Sequence, residues 1–212
     1  MSLPRPMRYV LLCIALAVLL MGTVGGLLFW REVKGLQARK GQALPVLGQV
    51  PEFSLVERSG RPIALADLAG KVWIADFIFT HCAGPCPLLS VQMGALQDLL
   101  SEMPDVRLVS ITVDPERDTP RLLSDYALRY GADRDRWLFI TGEKPAVYRL
   151  IREGFRVVVG DEPEEGTDQI MHSLQFALVD RKGRVRAYYD GTDAELADRL
   201  LPDVRRLLQE GE

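Results

Sequence analysis

The sequence predicts an α/β domain, a mixed sheet flanked by helices, preceded by one N-terminal transmembrane helix. Three observations carry this reading. Beyond residue 49, short apolar runs of β type alternate with segments of helical period. One of those runs, Val72 to Phe79, is almost continuously apolar, as in a central strand buried on both faces. A third stretch, Tyr9 to Trp30, carries no charge and is dominated by Leu, Val, Ile, Ala and Gly. At about 1.5 Å per residue it reaches about 33 Å, enough to cross a hydrocarbon core of roughly 30 Å.

The N-terminal run ends in Leu27-Leu28-Phe29-Trp30-Arg31 with no small-residue cleavage pattern, so an uncleaved anchor is expected over 1–30. Cys13 lies inside the span and is read as a lipid-facing apolar side chain. Arg5 and Arg8 precede the span, whereas Arg31, Lys34, Arg39 and Lys40 follow it, a weak bias against an exported domain. Only eight residues precede the run, which favours a bacterial inner membrane protein over an organellar one. Residues 31–48 read as a linker, and 49–212 as one folded domain. The net charge of −3 gives no footprint for nucleic acid.

Within the domain, Phe53 to Val56 alternates as a short strand before the Ser59-Gly60 turn. After Val72–Phe79 comes the loop His81-Cys82-Ala83-Gly84-Pro85-Cys86-Pro87. Pro87 suits a first helical position and sets Cys86 at the N-cap. Leu89, Met93, Leu96, Leu100 and Met103 then follow helical spacing up to Pro104. Val106 to Val113 is the next strand, completing a βαβ unit. Asp118-Thr119-Pro120 opens a helix that Gly131 stops. Trp137 to Ile140 reads as a strand and Pro145 to Glu153 as a short helix. Phe155 to Val159 and Leu174 to Val179 read as strands separated by an acidic loop, Asp161 to Asp168. Asp180-Arg181-Lys182-Gly183 turns into Arg184 to Tyr189, a hairpin. Thr192 and Glu195 have the spacing of a capping box for a last helix through Gln209, with Pro202 inside it. A cysteine loop at a strand–helix junction of such a sheet is the thioredoxin-like arrangement.

The chemistry concentrates on Cys82, Cys86 and His172. Two thiolates and an imidazole form a soft donor set suited to Cu(I) and able to hold Cu(II). The same two thiols can instead cycle between dithiol and disulfide. A helix N-terminus favours the thiolate that either role needs. His81 and His172 are the only histidines, and His172 falls just before a strand. His81 is assigned to shaping the loop, Met93 and Met171 to packing, and Asp114 and Asp118 to organising the turn after their strand. A peroxidase is the weakest reading, because no peroxidatic T-x-x-C setting with a supporting Arg is present.

Four segments together carry a family resemblance: FIFTHCAGPCP at 77–87, SITVDPERDTPRLLSDY at 110–126, WLFITG at 137–142 and MHSLQFALVD at 171–180. The chain resembles the Sco/SenC family of membrane-anchored copper proteins over roughly residues 50–190. The D-P-x-x-D-T-P-x-x-L segment is more specific than C-x-x-x-C alone. The resemblance implies copper as the metal, with Cys82, Cys86 and His172 as ligands. It also implies a chaperone that delivers copper to the CuA site of cytochrome c oxidase, or to another copper-site protein, from the periplasmic face of a bacterial inner membrane. The alternative function is a thiol–disulfide oxidoreductase in which Cys82 and Cys86 are catalytic and keep a partner's cysteines reduced. Ala83 and Pro85 stand where the family usually has Pro and a longer apolar residue. Ile170-Met171 stands where it often has Val-Asp, and Asp168 is a substitute acid near His172.

Overall fold

The computed structural model describes residues 43–82, 84–157 and 174–210, together with Leu19, Met21–Thr23, Gly25, Gly26 and Trp30. The chain divides into two compact units, Met1–Ala43 and Leu44–Glu212. In the first, the described residues from Leu19 to Trp30 are helical. Among the described residues no helix is long and apolar enough to cross a membrane, and most of the 9–30 run lies outside them.

Among its described residues the second unit holds eight strands in one sheet: β1 (Gly48–Gln49), β2 (Ser54–Glu57), β3 (Pro62–Ala64), β4 (Val72–Ile78), β5 (Val106–Thr112), β6 (Trp137–Thr141), β7 (Gln175–Val179) and β8 (Arg184–Asp190). Four α-helices accompany them among these residues: α1 (Cys86–Leu99), α2 (Pro120–Arg129), α3 (Lys144–Arg149) and α4 (Leu196–Gln209). The strand order is β1-β8-β7-β4-β5-β6-β2-β3. β4, β5 and β6 run parallel, and the other pairings are antiparallel, so the sheet is mixed as expected.

β4 is central because its sequence, VWIADFI, suits a strand covered on both faces; all seven residues are buried. Alternation sends Trp73, Ala75 and Phe77 into one core with α3, Phe155 and the β2–β3 region. Val72, Ile74 and Ile78 enter the other, beneath α1, α2 and α4. Cys86 belongs to this second core. Met93 is fully buried there, which agrees with its packing role.

Several local expectations are corrected. Of the strand expected over Phe155 to Val159, the described part, Phe155 to Val157, is no strand, and residues 158 and 159 lie outside the described residues. A π-helical turn over Leu150–Gly154 extends α3, and Phe155 caps it. Arg156 takes a left-handed φ of 53°, and its N–H returns to the Arg152 carbonyl at 3.1 Å. The run is apolar because Phe155 and Val157 fill the core from a helix end. The capping box on Thr192 does not form: Thr192 donates to Asp190 Oδ1 at 2.6 Å, and α4 starts from Glu195 without a side-chain cap. Pro202 sits inside α4 without ending it. Part of the segment read as linker joins the folded unit, since Leu47 N–H donates to the Val185 carbonyl at 2.8 Å and β1 begins at Gly48. The acidic loop 161–168, Met171, His172 and Cys13 lie outside the described residues.

Candidate metal centre

Thr80 and His81 form a turn between β4 and the cysteine loop, closed by Cys82 N–H donating to the Phe79 carbonyl at 3.2 Å. α1 then starts with Pro85 as N-cap and Cys86 as its first residue, one position earlier than expected. Pro87 occupies the first turn, where the N–H it lacks has no helical partner to lose. The geometry leaves Cys82 half-buried and Cys86 0% exposed, neither joined in a disulfide.

The two sulfurs neighbour each other, since the Cys82 thiol is a hydrogen-bond partner of Cys86. Burial pushes the Cys86 thiol well above its ordinary range, and Cys82 adds to the shift, with Asp76 contributing a smaller push. A main-chain hydrogen bond with Phe79 works against it. The helix start was expected to favour thiolate. At Cys86 desolvation wins, because its side chain points into the core beneath α1.

The base of the loop is tied down by Asp118, which sequence reasoning assigned to the turn after its strand and to a helix start. Asp118 is fully buried. Its carboxylate accepts from the Thr80 main chain at 3.2 Å, the Thr80 hydroxyl at 2.6 Å and the Thr112 hydroxyl at 2.6 Å. Burial raises its pKa, and these donors oppose the rise. Because the Thr80 hydroxyl spends its proton on Asp118, it accepts from His81 Nδ1 at 3.0 Å. The helix itself is capped by Thr119, whose hydroxyl accepts from Leu122 N–H at 3.3 Å. Asp114 keeps its turn role: its carbonyl accepts from Asp118 N–H at 2.9 Å and its own N–H donates to Thr112 Oγ1 at 3.0 Å.

The sheet also brings the chain before β7 to this end of the domain. β7 pairs antiparallel with β4, Ala75 against Ala177, so Leu174 lies toward the end of β4 from which the cysteine loop leaves. The Leu174 carbonyl accepts from Gly191 N–H at 2.7 Å. Gly191 has no room for a side chain; a Cβ there would meet Leu89 Cδ2 at 2.5 Å and the Leu174 oxygen at 2.8 Å. Among the described residues no three metal-ligating side chains cluster; the expected third ligand, His172, lies two residues before Leu174 and outside them.

Comparison with known proteins places this arrangement. The SCO1/SenC family model matches residues 45–209. The SCO1 protein homolog of Bacillus subtilis (strain 168) is 36% identical over 163 residues, covering 76% of this chain and 83% of the relative. The solved structure of BsSco, described as a member of the Sco family of cytochrome c oxidase assembly proteins with a disulfide switch, is 34% identical with a TM-score of 0.69. That match covers 79% of this chain and 98% of BsSco. Arabidopsis thaliana ScoI, solved with copper bound, is 27% identical with a TM-score of 0.65 over 75% of this chain and 99% of its own. A thioredoxin-like α/β unit with its cysteine pair at the β4–α1 junction, matched by the family model over almost all of Leu44–Glu212, establishes that the chain belongs to the SCO1/SenC family.

Proposed function

We propose that this protein is a copper chaperone: it takes copper on Cys82, Cys86 and His172 and passes it to the CuA site during cytochrome c oxidase assembly. The observation that carries the reading is the pair of neighbouring thiols, not joined in a disulfide, on a loop anchored by Asp118. Thiolates are soft donors, and a graded pair suits cargo that must both arrive and leave: Cys82 meets solvent while Cys86 is sealed in the core. Chain connectivity supports His172 as the third donor, because two peptide units from Leu174 span at most about 7 Å. Relatives solved with copper bound support the metal.

A second reading is favoured by the same sulfur pair and by the disulfide switch described for BsSco. Cys82 and Cys86 would cycle between dithiol and disulfide and keep a partner's cysteines reduced. The two readings separate at His172, which metal transfer needs and dithiol exchange does not.

The test is titration of the reduced domain with Cu(I) and Cu(II), counting bound metal. The chaperone reading expects about one copper per chain, and almost none once the two sulfurs are oxidised to a disulfide. Binding near zero in the reduced protein overturns it. We further infer that the 9–30 run anchors the domain to a bacterial inner membrane with residues 31–212 on the periplasmic side. A C-terminal reporter active only outside the cytoplasm should report on this. A silent reporter with a protease-protected domain reverses the orientation.

A further inference from the structure

An open cavity of about 410 Å³ lies between the β2–β3 turn, the second half of α2 and the loop that leads into β6. β4, β5 and β6 run parallel and that loop precedes β6, so the cavity lies toward the end of the sheet opposite the thiols. None of its lining belongs to the metal centre. Three guanidiniums line it, Arg58 and Arg61 from the turn and Arg134 from the loop. Glu57 and Asp135 are the carboxylates of the lining, and Leu128 of α2 is its large apolar side chain.

These charges divide into a fixed pair and a mobile mouth. Arg58 is almost wholly buried, and its Nη2 donates to the Ala132 carbonyl at 3.3 Å and the Asp133 carbonyl at 3.0 Å. Its guanidinium lies over the Phe139 ring, 5.1 Å from the centroid. Glu57 Oε1 stands 3.5 Å from Arg58 Nε, and Glu57 Oε2 accepts from Ser59 N–H at 2.7 Å. The pair forms a wall whose charges balance. Arg61 and Arg134 are exposed. Arg61 Nε donates to Ser59 Oγ at 3.2 Å, whereas Arg134 makes no hydrogen bond or ion pair among the described residues. Burial lowers the pKa of Arg58; Glu57 opposes the fall and Arg134 adds to it, so the loop brings its guanidinium within reach of the buried one. An oxyanion relieves such repulsion between like charges. Asp135 offsets only one of the two exposed guanidiniums, on a chain whose net charge of −3 gives anions no general attraction. Leu128, 69% exposed, adds an apolar rim.

We propose that this cavity binds a phosphate group, with Arg61 and Arg134 donating to its oxygens in front of the Arg58–Glu57 wall and Leu128 against the carbon chain that carries it. A guanidinium presents paired N–H donors in a fixed fork that matches phosphate oxygens. The volume lies within the range of small-molecule sites. A glycerophospholipid headgroup and a soluble phosphate ester share this chemistry, and the experiment separates them. The site is independent of the copper reading.

The test uses the full chain in a phosphate-free maltoside detergent and follows phosphorus NMR during titration with glycerol 3-phosphate in one arm and phosphatidylglycerol in the other. Three proteins are compared, each checked for native folding by circular dichroism: the parent, a double variant Arg61→Gln with Arg134→Gln, and a control, Arg121→Gln with Arg205→Gln. The control removes the same charge from exposed positions outside the cavity. The parent should bind at least one probe saturably, the cavity variant at least about tenfold more weakly, and the control like the parent. A cavity-dependent loss in the phosphatidylglycerol arm alone assigns a lipid headgroup. A loss in the glycerol 3-phosphate arm assigns a phosphate ester that needs no lipid. The proposal is overturned if neither probe binds saturably, if parent and cavity variant bind equally, or if the control weakens as much as the cavity variant. Copper stoichiometry, measured alongside, reports separately on the chaperone reading.

Discussion

Replacing Asp76 by Asn should change the stability of the domain in a way that depends on pH, with the sign of the effect reversing. A carboxyl whose folded pKa is raised binds its proton more tightly folded than unfolded. Its stabilising proton is fully present below the unfolded value of 3.8 and lost as pH rises through the folded value of about 7. That interval is about three units, and at about 1.4 kcal/mol per unit the ionised form costs the parent about 4 kcal/mol at pH 8. Asn avoids this cost, since it cannot ionise. It keeps an acceptor for Ser110 Oγ but leaves its amide unpaired in the core, which costs about 1–3 kcal/mol. The balance is a variant about 1–3 kcal/mol more stable than the parent near pH 8 and less stable by a similar amount near pH 4. Urea unfolding of metal-free, reduced protein, followed by Trp fluorescence at intervals between those pH values, measures the difference directly. Stability curves that stay parallel across the interval would refute the reasoning, because they would mean that Asp76 does not change protonation with folding.

Three other outcomes are expected. Asp118→Ala orphans the hydroxyls of Thr80 and Thr112 at the base of the cysteine loop and should cost about 2–4 kcal/mol in denaturant unfolding, with weakened copper binding; unchanged stability would show the loop is held some other way. Gly191→Ala forces a methyl against Leu89 and the Leu174 carbonyl and should cost about 1–3 kcal/mol, measured by thermal unfolding with copper titration alongside. His172→Ala should weaken copper binding by at least about tenfold while the Cys82–Cys86 disulfide forms at its usual rate. Parent-like copper affinity in that variant would remove His172 from the ligand set and move thiol exchange to first place.

Where neighbouring residues decide a feature, the sequence predicted it. The β4–α1–β5 unit follows from an apolar run, a Pro-stopped loop and a helical period, and the β7–β8 hairpin from Asp180 to Gly183; both are present. The run Phe155 to Val159 misled for a physical reason: a largely apolar, β-branched sequence looks the same whether it fills a core from a strand or, as Phe155 and Val157 do, from a helix end. Thr192 had capping-box spacing but a nearer acceptor in Asp190. β1 and β3 are two and three residues long, too short for alternation to register. Cys82 and Cys86 were legible as a pair because both lie in one loop. The hold of Asp118 on that loop, the tight seat of Gly191 and the buried Cys86 thiol were not, since each depends on chain segments far apart in sequence.

One guanidinium fixes where the domain is held. Arg186, almost wholly buried, donates to the Leu44 and Pro45 carbonyls, to Asp180 in the turn after β7 and to Glu210 at the end of α4. That turn lies beside Gly70, just before β4 begins, because Gly70 N–H donates to the Arg181 carbonyl at 3.0 Å. The chain therefore enters the domain at the N-terminal end of β4, and the thiols emerge at its C-terminal end. A strand of seven residues separates the two, about 23 Å at 3.3 Å per residue. Anything that tethers this domain through Leu44 holds it by the heel and leaves the sulfurs at the toe, free to swing toward a partner at a distance from the attachment point.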